Sequence, residues 1–341
     1  MSGAAAVELP IIDLSKPSAE VGEEIVNAAA TYGFLYIKNT GRDIKPEAIE
    51  RAFELSREFF ASPEEEKAKC LIGPENKGWS SMHREILDQG NQRKGDFKEA
   101  FNFGTFENGK ARQPLPKSLA SHESELSQFA TSCHDLCMKV LRAFAIGFKI
   151  KEEDGGEEWF SSRHDVEKSS SIFRMLYYPA VPEEADYIPD VDIRAGAHSD
   201  YGSITLLFQR PGQPGLEIKT PSDEWASVPV IPNGTESDPS PPILVNIGDL
   251  LSYWTDGLLK STVHRVIFPS DARRGGEDRY SIAYFLHPCP EVNLVPIPSE
   301  VVASRGKGEG ITQSKRVLTG QQHLDERLAA SYGWKSEDKK A

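Results

Sequence analysis

AHSDYGSITLLFQRPGQPGLEIKT, residues 197–220, decides how the second half of the chain reads. Two short runs, GSITLLFQ at 202–209 and GLEIKT at 215–220, flank RPGQP, whose glycine and prolines mark a turn. The pattern continues in both directions. SIFRMLYYP (171–179) precedes it, and WASVPVI (225–231), PILVNIGDLL (242–251), TVHRVIF (262–268) and RYSIAYFLH (279–287) follow. About seven short strands separated by Gly/Pro turns predict an all-β sandwich or barrel. Residues 233–242, NGTESDPSPP, read as an exposed loop.

Upstream the periodicity changes. Leu9 to Leu14 is short and apolar, with Pro10 near its start. Val21, Ile25, Val26 and Ala29 recur at helical spacing, Gly33 is placed to stop that helix, and Phe34 to Ile37 is strand-like. Pro46 to Ala61 predicts a second amphipathic helix. Ser62-Pro63-Glu64-Glu65 predicts an N-cap with proline at the first helical position. From Gly73 to about Leu115 the chain reads as a long loop with one short strand at Glu99 to Phe103. Glu123 to Phe148 carries a wide apolar stripe and is the clearest helix; Leu318 to Tyr332 predicts a last one.

The chain has 341 residues, 52 acidic against 39 basic, for a net charge of −13. That balance argues against a protein built to grip a phosphate backbone. No apolar run approaches the ~20 residues of a membrane span, and the first residues lack the features of a secretory signal. Four cysteines, 70, 133, 137 and 289, do not make a disulfide framework, so a cytoplasmic location is expected. Cys133 and Cys137 lie on one helix face, as either a metal pair or small core residues. Asn233-Gly-Thr235 matches a glycosylation sequon and is read as a turn.

Of eight histidines, only His198 forms an H-x-D pair, with Asp200. Residues two apart on a strand share a face, so both can point at one ion. Chance alone yields about half such a pair in a chain of this composition, so the pair is weak by itself. His264 strengthens it, lying in a strand-like run 66 residues on. Two neutral imidazoles and one carboxylate form the facial triad of non-haem Fe(II) sites, whose other face stays open. Arg279 and Ser281 are also two apart on a strand, and a guanidinium fork with a hydroxyl beside it suits a carboxylate. Ala283 and Phe285 share their face and are expected near co-substrate or substrate. Arg174 either faces the cavity and contacts substrate or pairs with an acidic neighbour. His287 could face the same pocket. Histidines 83, 122, 134, 164 and 323 lack a carboxylate partner in sequence and are read as structural. Trp254 is expected in the core, and Lys98 and Glu99 either at the pocket mouth or on a solvated strand edge.

HSD at 198–200, STVHRV at 261–266 and RYS at 279–281 resemble the signature of the 2-oxoglutarate/Fe(II)-dependent oxygenase superfamily, in its isopenicillin N synthase-like branch. LPIIDLS at 9–15, GFLYIKN at 33–39, FRMLYYP at 173–179 and NIGDLLSYWTDGLLKSTVHRV at 246–266 are similar to that branch, and fungal-type members suggest themselves as kin. The resemblance spans about residue 8 to 335. It implies a mainly β protein with flanking α, a double-stranded β-helix (jelly roll) wrapped by N- and C-terminal helices. It implies one integrated domain: an α/β segment at 1–120, a long helix and connection at 121–168, the catalytic core at 169–290 and a helical tail at 291–341.

The same resemblance implies that His198, Asp200 and His264 ligate Fe(II), that Arg279 and Ser281 hold the distal carboxylate of 2-oxoglutarate, and that Tyr178 joins them. Several plant relatives have Asn two positions before that tyrosine; here it is Leu176. The 15-residue spacing from His264 to Arg279 is longer than usual, and 271–278 (DARRGGED) reads as an enlarged hairpin. With O2, the implied reaction decarboxylates 2-oxoglutarate to succinate and oxidises a substrate C–H bond. The expected substrate is a small organic molecule, a specialised metabolite or a nucleobase-like ring, with no nucleic acid, membrane or protein partner indicated. Two alternatives stand: an Fe(II) oxidase of the same branch without 2-oxoglutarate, and a jelly-roll binding protein without catalysis.

Overall fold

The computed structural model describes residues 5–15, 18–181, 188, 191–268, 277–314 and 317–332. The chain runs β1 (Ile11–Ile12), α1 (Ala19–Tyr32), β2 (Phe34–Ile37), α2 (Pro46–Phe60), α3 (Glu64–Lys67), β3 (Gly78–Ser80) and β4 (Glu99–Phe103). The short β5 (Phe106–Glu107) and β6 (Lys110–Ala111) form a hairpin before α4 (Lys117–Ala120) and α5 (Glu123–Gly147). Then follow β7 (Ile172–Tyr178), β8 (Ala195–His198), β9 (Ile204–Gln209), β10 (Leu216–Lys219), β11 (Trp225–Ser227) and β12 (Ile243–Ile247). The sequence of elements ends with α6 (Asp249–Trp254), β13 (His264–Val266), β14 (Arg279–Leu286), α7 (Glu300–Arg305) and α8 (Gly320–Tyr332).

Two sheets carry the architecture. The major sheet has the order β1-β2-β12-β9-β14-β7-β4-β3, and the minor sheet β11-β10-β13-β8. Apart from the parallel β1–β2 pair, the strands are antiparallel, as in a jelly roll. Alternation sorts the major sheet's side chains. Phe173, Met175, Ile282, Tyr284, Leu206 and Phe208 join the large core that includes α5, whereas Leu176, Tyr178, Ala283 and Leu244 join Leu216, Ile218 and Val266 of the minor sheet in a second cluster. Helices α1, α2 and α5 therefore cover the first face, and the second lines the interior between the sheets.

The helices begin and end where their sequences allow. Ser18 Oγ accepts from Val21 N at 3.2 Å to cap α1, and Gly33, at φ 69°, ends it with its N–H on Ala29 O. α1 lies against α5 at a glycine contact: a Cβ on Gly147 would stand 2.0 Å from Gly22 O, and one on Gly22 2.6 Å from Gly147 N. Trp254 is buried, as expected, and Cys133 and Cys137 are free thiols deep in the core of α5.

Three expectations change. Ser62 does not cap the next helix; its hydroxyl donates back to Phe59 O and Pro63 takes the cap position. The stretch 73–115 holds β3 and the β5–β6 hairpin besides β4, because Trp79 and Phe101 pair across strands and bury one face. Glu99 is neither at the pocket mouth nor on a solvated edge: it pairs with Lys67 Nζ at 2.8 Å and Trp79 Nε1 at 2.7 Å. Of the expected hairpin at 271–278, residues 271–276 lie outside the described residues. No helix of the described residues is long and apolar enough to cross a membrane.

Candidate metal and co-substrate site

His198 closes β8 and His264 opens β13, and the two are direct cross-strand partners. Asp200 follows β8 by two residues. Its Oδ1 lies 3.8 Å from His198 Nε2 and 3.7 Å from His264 Nε2, and one ligand atom from each residue lies within 4.8 Å of the others. The far side of each group is already engaged. His198 Nδ1 meets Gly196 O at 2.7 Å and His264 Nδ1 meets Thr262 O at 3.1 Å, so each Nδ1 carries the proton and each Nε2 presents its lone pair. Asp200 Oδ2 accepts from Thr205 Oγ1 at 2.6 Å and Asn246 Nδ2 at 2.7 Å, which leaves Oδ1 facing the rings. This donor set, with outer hydrogen bonds fixing tautomer and aim, fits Fe(II).

Electrostatics agree with that use. Burial, then His264, pushes His198 down to about 3, so its ring is neutral. Burial opposes ionisation of Asp200, but His264, His198, Asn246 and Thr205 together outweigh it and hold the carboxyl below its ordinary range. The loop that carries Asp200 is pinned by Asp249 N, which donates to Asp200 O at 2.7 Å. This pinning needs Gly248, where a Cβ would lie 2.2 Å from Gly202 O.

Arg279 and Ser281 stand on β14, facing the same interior. Arg279 is 1% exposed; its Nη1 donates to Ser281 Oγ, its Nη2 to Gln209 Oε1 and its Nε to Gln213 O, at 3.2–3.3 Å. Among the described residues no carboxylate pairs with it, and burial lowers its pKa. Tyr178 is its cross-strand partner on β7, with the ring 4.9 Å from the guanidinium. Leu176 lies opposite Ser281. These residues, the triad, Ala283, Phe285, Arg174 and His287 all line one cavity of about 510 Å³.

Arg174 lines the cavity and also pairs with an acidic neighbour, so the two positions the sequence left open are not exclusive. Its Nη2 donates to Glu85 Oε1 at 2.9 Å and its Nε to Asn102 Oδ1 at 2.5 Å. Ala283 sits opposite Arg174, and the Arg174 guanidinium lies 5.8 Å from the Phe285 ring.

Lys98 corrects an expectation. It is on neither a mouth nor a solvated edge but 4% exposed in the cavity wall, its Nζ 2.6 Å from Asp96 Oδ2 and 3.0 Å from Glu85 Oε2. Burial would discharge this lysine, but Asp96 and Glu85 raise its pKa instead. Burial likewise opposes the charge on Glu85, and Arg174 and Lys98 overcome it and bring Glu85 down to about 2. Glu85 and Asp96 come from a stretch without regular strands, and nothing in their local sequence places them there. Thr205 and Asn246 had a signal: each is a polar residue at an inward position of an otherwise apolar strand. Gln321, Leu324 and Leu328 of α8 complete the cavity wall. Among the histidines read as structural, His164 is fully buried between Phe160 O and Ser203 Oγ.

Comparison with known proteins follows the same lines. The family described as 2OG-Fe(II) oxygenase superfamily matches residues 169–288, and that described as non-haem dioxygenase in morphine synthesis N-terminal matches residues 9–124. The chain is 37% identical to the UPF0676 protein C1494.01 of Schizosaccharomyces pombe over 98% of its own length and 95% of the relative's. It is 30% identical to the 2-oxoglutarate-Fe(II) type oxidoreductase ppzD of Metarhizium rileyi, over 93% and 88%. Among solved structures, a full-length Neurospora crassa protein in complex with alpha-KG and thymine superposes with a TM-score of 0.78 at 32% identity, covering 97% of this chain and 100% of that one.

Proposed function

The chain belongs to the 2-oxoglutarate/Fe(II)-dependent oxygenase superfamily, and from that premise we propose that it oxidises a C–H bond of a small polar organic molecule, a nucleobase-like ring or a specialised metabolite, held between Arg174, Ala283 and Phe285. It is an oxidoreductase with the jelly-roll fold of its relatives, and it uses Fe(II), 2-oxoglutarate and O2. Bound iron, with co-substrate and O2, supplies the oxidising power, and succinate and CO2 leave as the co-products.

In this reading the protein's residues bind, aim and exclude. His198, Asp200 and His264 hold the metal from one side, with Thr205 and Asn246 keeping Asp200 turned toward it. Arg279, Ser281 and Tyr178 take the distal carboxylate of 2-oxoglutarate. The observation that carries this assignment is that a three-ligand cluster and a buried guanidinium without a carboxylate partner among the described residues line the same cavity. A buried unpaired charge is costly, so the site favours a ligand that supplies the missing anion. Substrate then lies beyond, where Ala283 leaves space, Phe285 offers a ring face and Arg174 a donor. The Neurospora crassa protein, crystallised with thymine, supports a flat polar ring of this size.

We place the protein in the cytoplasm, acting without nucleic acid, membrane or protein partner. The acidic net charge supports the reading against nucleic acid, and the four cysteines, all free and buried, support a reducing compartment. Segments 1–120, 121–168, 169–290 and 291–341 act as one unit, supported by a single hydrophobic cluster that draws on residues from Ile12 to Leu318. The test is incubation with Fe(II), 2-oxoglutarate and fungal metabolite pools. Succinate formation with a matching +16 or −2 mass shift in one small molecule is the expected result. Oxygen consumption with a substrate but without succinate would overturn it.

A further inference from the structure

The cavity treats its cations in two ways. Arg279 has hydroxyl, amide and carbonyl partners and no carboxylate among the described residues. Lys98 and Arg174 are backed by Asp96 and Glu85, two carboxylates for two cations. Neither carboxylate lines the cavity, whereas Lys98 and Arg174 do. The remaining charged pairs are outlying and more exposed: Glu75 with Lys77, and Glu107 with the lining Arg112. The inner wall thus offers one uncompensated positive charge, at Arg279, and one neutralised patch that still presents N–H donors.

Lys98 has the geometry of a ligand-binding group in that patch. Its Nζ carries three N–H groups, and Asp96 and Glu85 take two of them. The third has no partner among the described residues, in a side chain 3% exposed on the cavity wall. Lys98 continues the inward-facing series Ala100 and Asn102 of β4, which lies beside β7 and its Arg174 and Tyr178.

We propose that Lys98 is a specificity-determining residue, which docks an uncharged substrate through a carbonyl-type acceptor on Nζ, while Arg279 is reserved for the dicarboxylate co-substrate. The inference rests on the oxygenase reading of the site and goes further, by fixing the charge and one functional group of the substrate. A carboxylate substrate would need an uncompensated cation, and the wall around Lys98 and Arg174 has none left. A neutral carbonyl needs only the donor, and the buried carboxylates behind it hold that donor charged and fixed in place.

The experiment measures succinate release above the substrate-free rate with matched probes that share a skeleton: uracil against orotate, 2-pyrrolidinone against pyroglutamate, nicotinamide against nicotinate. The neutral member of at least one pair is expected to stimulate, and its carboxylate counterpart to do so far less. Lys98→Met combined with Asp96→Asn keeps the cluster at zero net charge. It is expected to raise KM for the neutral probe about 10- to 100-fold, with circular dichroism confirming that it folds. Glu85→Gln removes one backing carboxylate and is expected to move the preference toward the carboxylate member. The proposal is overturned if no neutral probe stimulates, if both members of each pair act equally, or if neither substitution changes KM or the order of preference. Absence of 2-oxoglutarate-dependent succinate in every tube, the substrate-free one included, overturns the oxygenase reading of the site along with it.

Discussion

Asn246 donates from Nδ2 to Asp200 Oδ2 at 2.7 Å, on the side of the carboxylate turned away from His198 and His264. The bond comes from the middle of the major sheet, whereas both histidines belong to the minor sheet. The candidate metal site is therefore assembled across the sheet interface, and its aim depends on residues outside the ligand set. Asn246→Ala is expected to weaken Fe(II) affinity about 10- to 100-fold, the usual loss when a partner of a metal ligand is removed. Metal titration of the folded protein checks it. His198→Ala should instead abolish stoichiometric iron, and wild-type iron content in that variant would refute the ligand assignment.

Arg279→Ala should lower the affinity for 2-oxoglutarate by roughly 10- to 150-fold, equivalent to ~1.5–3 kcal/mol for a charge-assisted hydrogen bond. Iron should remain bound, since no triad atom contacts the guanidinium. Arg279→Lys keeps the charge and loses the fork, so it should fall between the two. Equilibrium binding of 2-oxoglutarate is the readout, and unchanged affinity would count against the role.

His164 is buried neutral, and burial pushes it down to about 3. Its unfolded pKa is near 6.5, so below that the unfolded chain takes up a proton that the folded protein refuses. The neutral form's stability is whole above pH 6.5 and is lost as pH falls toward about 3. His164→Gln removes one titrating group. Its stability should therefore decline between pH 6.5 and 5 with a slope shallower than wild type by about 0.7 kcal/mol per pH unit at pH 6.5, rising to about 1.3 by pH 5. Parallel slopes in denaturant titrations at several pH values would show that His164 is not the group concerned.

Gly147→Ala tests the α1–α5 contact. A methyl there would enter a space where Gly22 O stands 2.0 Å away, so the helices must part. Overpacking of this kind costs about 1–3 kcal/mol or more, against a helix-propensity gain of about 1 kcal/mol. A lower melting temperature is expected; an unchanged or higher one would mean the helices separate freely.

The site was legible in the sequence to the extent that it lies on strands. Arg279 and Ser281 are two apart on β14, and that period alone puts them on one face. His198 and Asp200 are also two apart, but β8 ends at His198, so the loop after it, and not strand alternation, turns Asp200 toward the rings. What strand pairing adds, such as His264 opposite His198 or Tyr178 opposite Arg279, depends on register and sheet order, which local sequence does not encode. Lys98, Asp96 and Glu85 were misread or missed for a related reason. A charged residue in an irregular stretch looks solvated until the fold supplies opposite charges around it. Ser62 shows the same limit at short range: two local hydrogen bonds were open to its hydroxyl, and the chain geometry selected the one not predicted.

The alternation in β7 and β14 has an evolutionary consequence. Arg174, Ala283 and Phe285 face the cavity, while their immediate neighbours Phe173, Met175, Ile282 and Tyr284 pack into the core shared with α5. Cavity-facing and core-facing side chains are interleaved along the same strands but separated by the thickness of the sheet. Under the proposed substrate role of these cavity residues, a lineage can exchange what it oxidises one residue at a time, with each step leaving the supporting core intact. Insertions have no such freedom, because a one-residue slip in either strand would drive the core side chains into the cavity and the polar ones into the core.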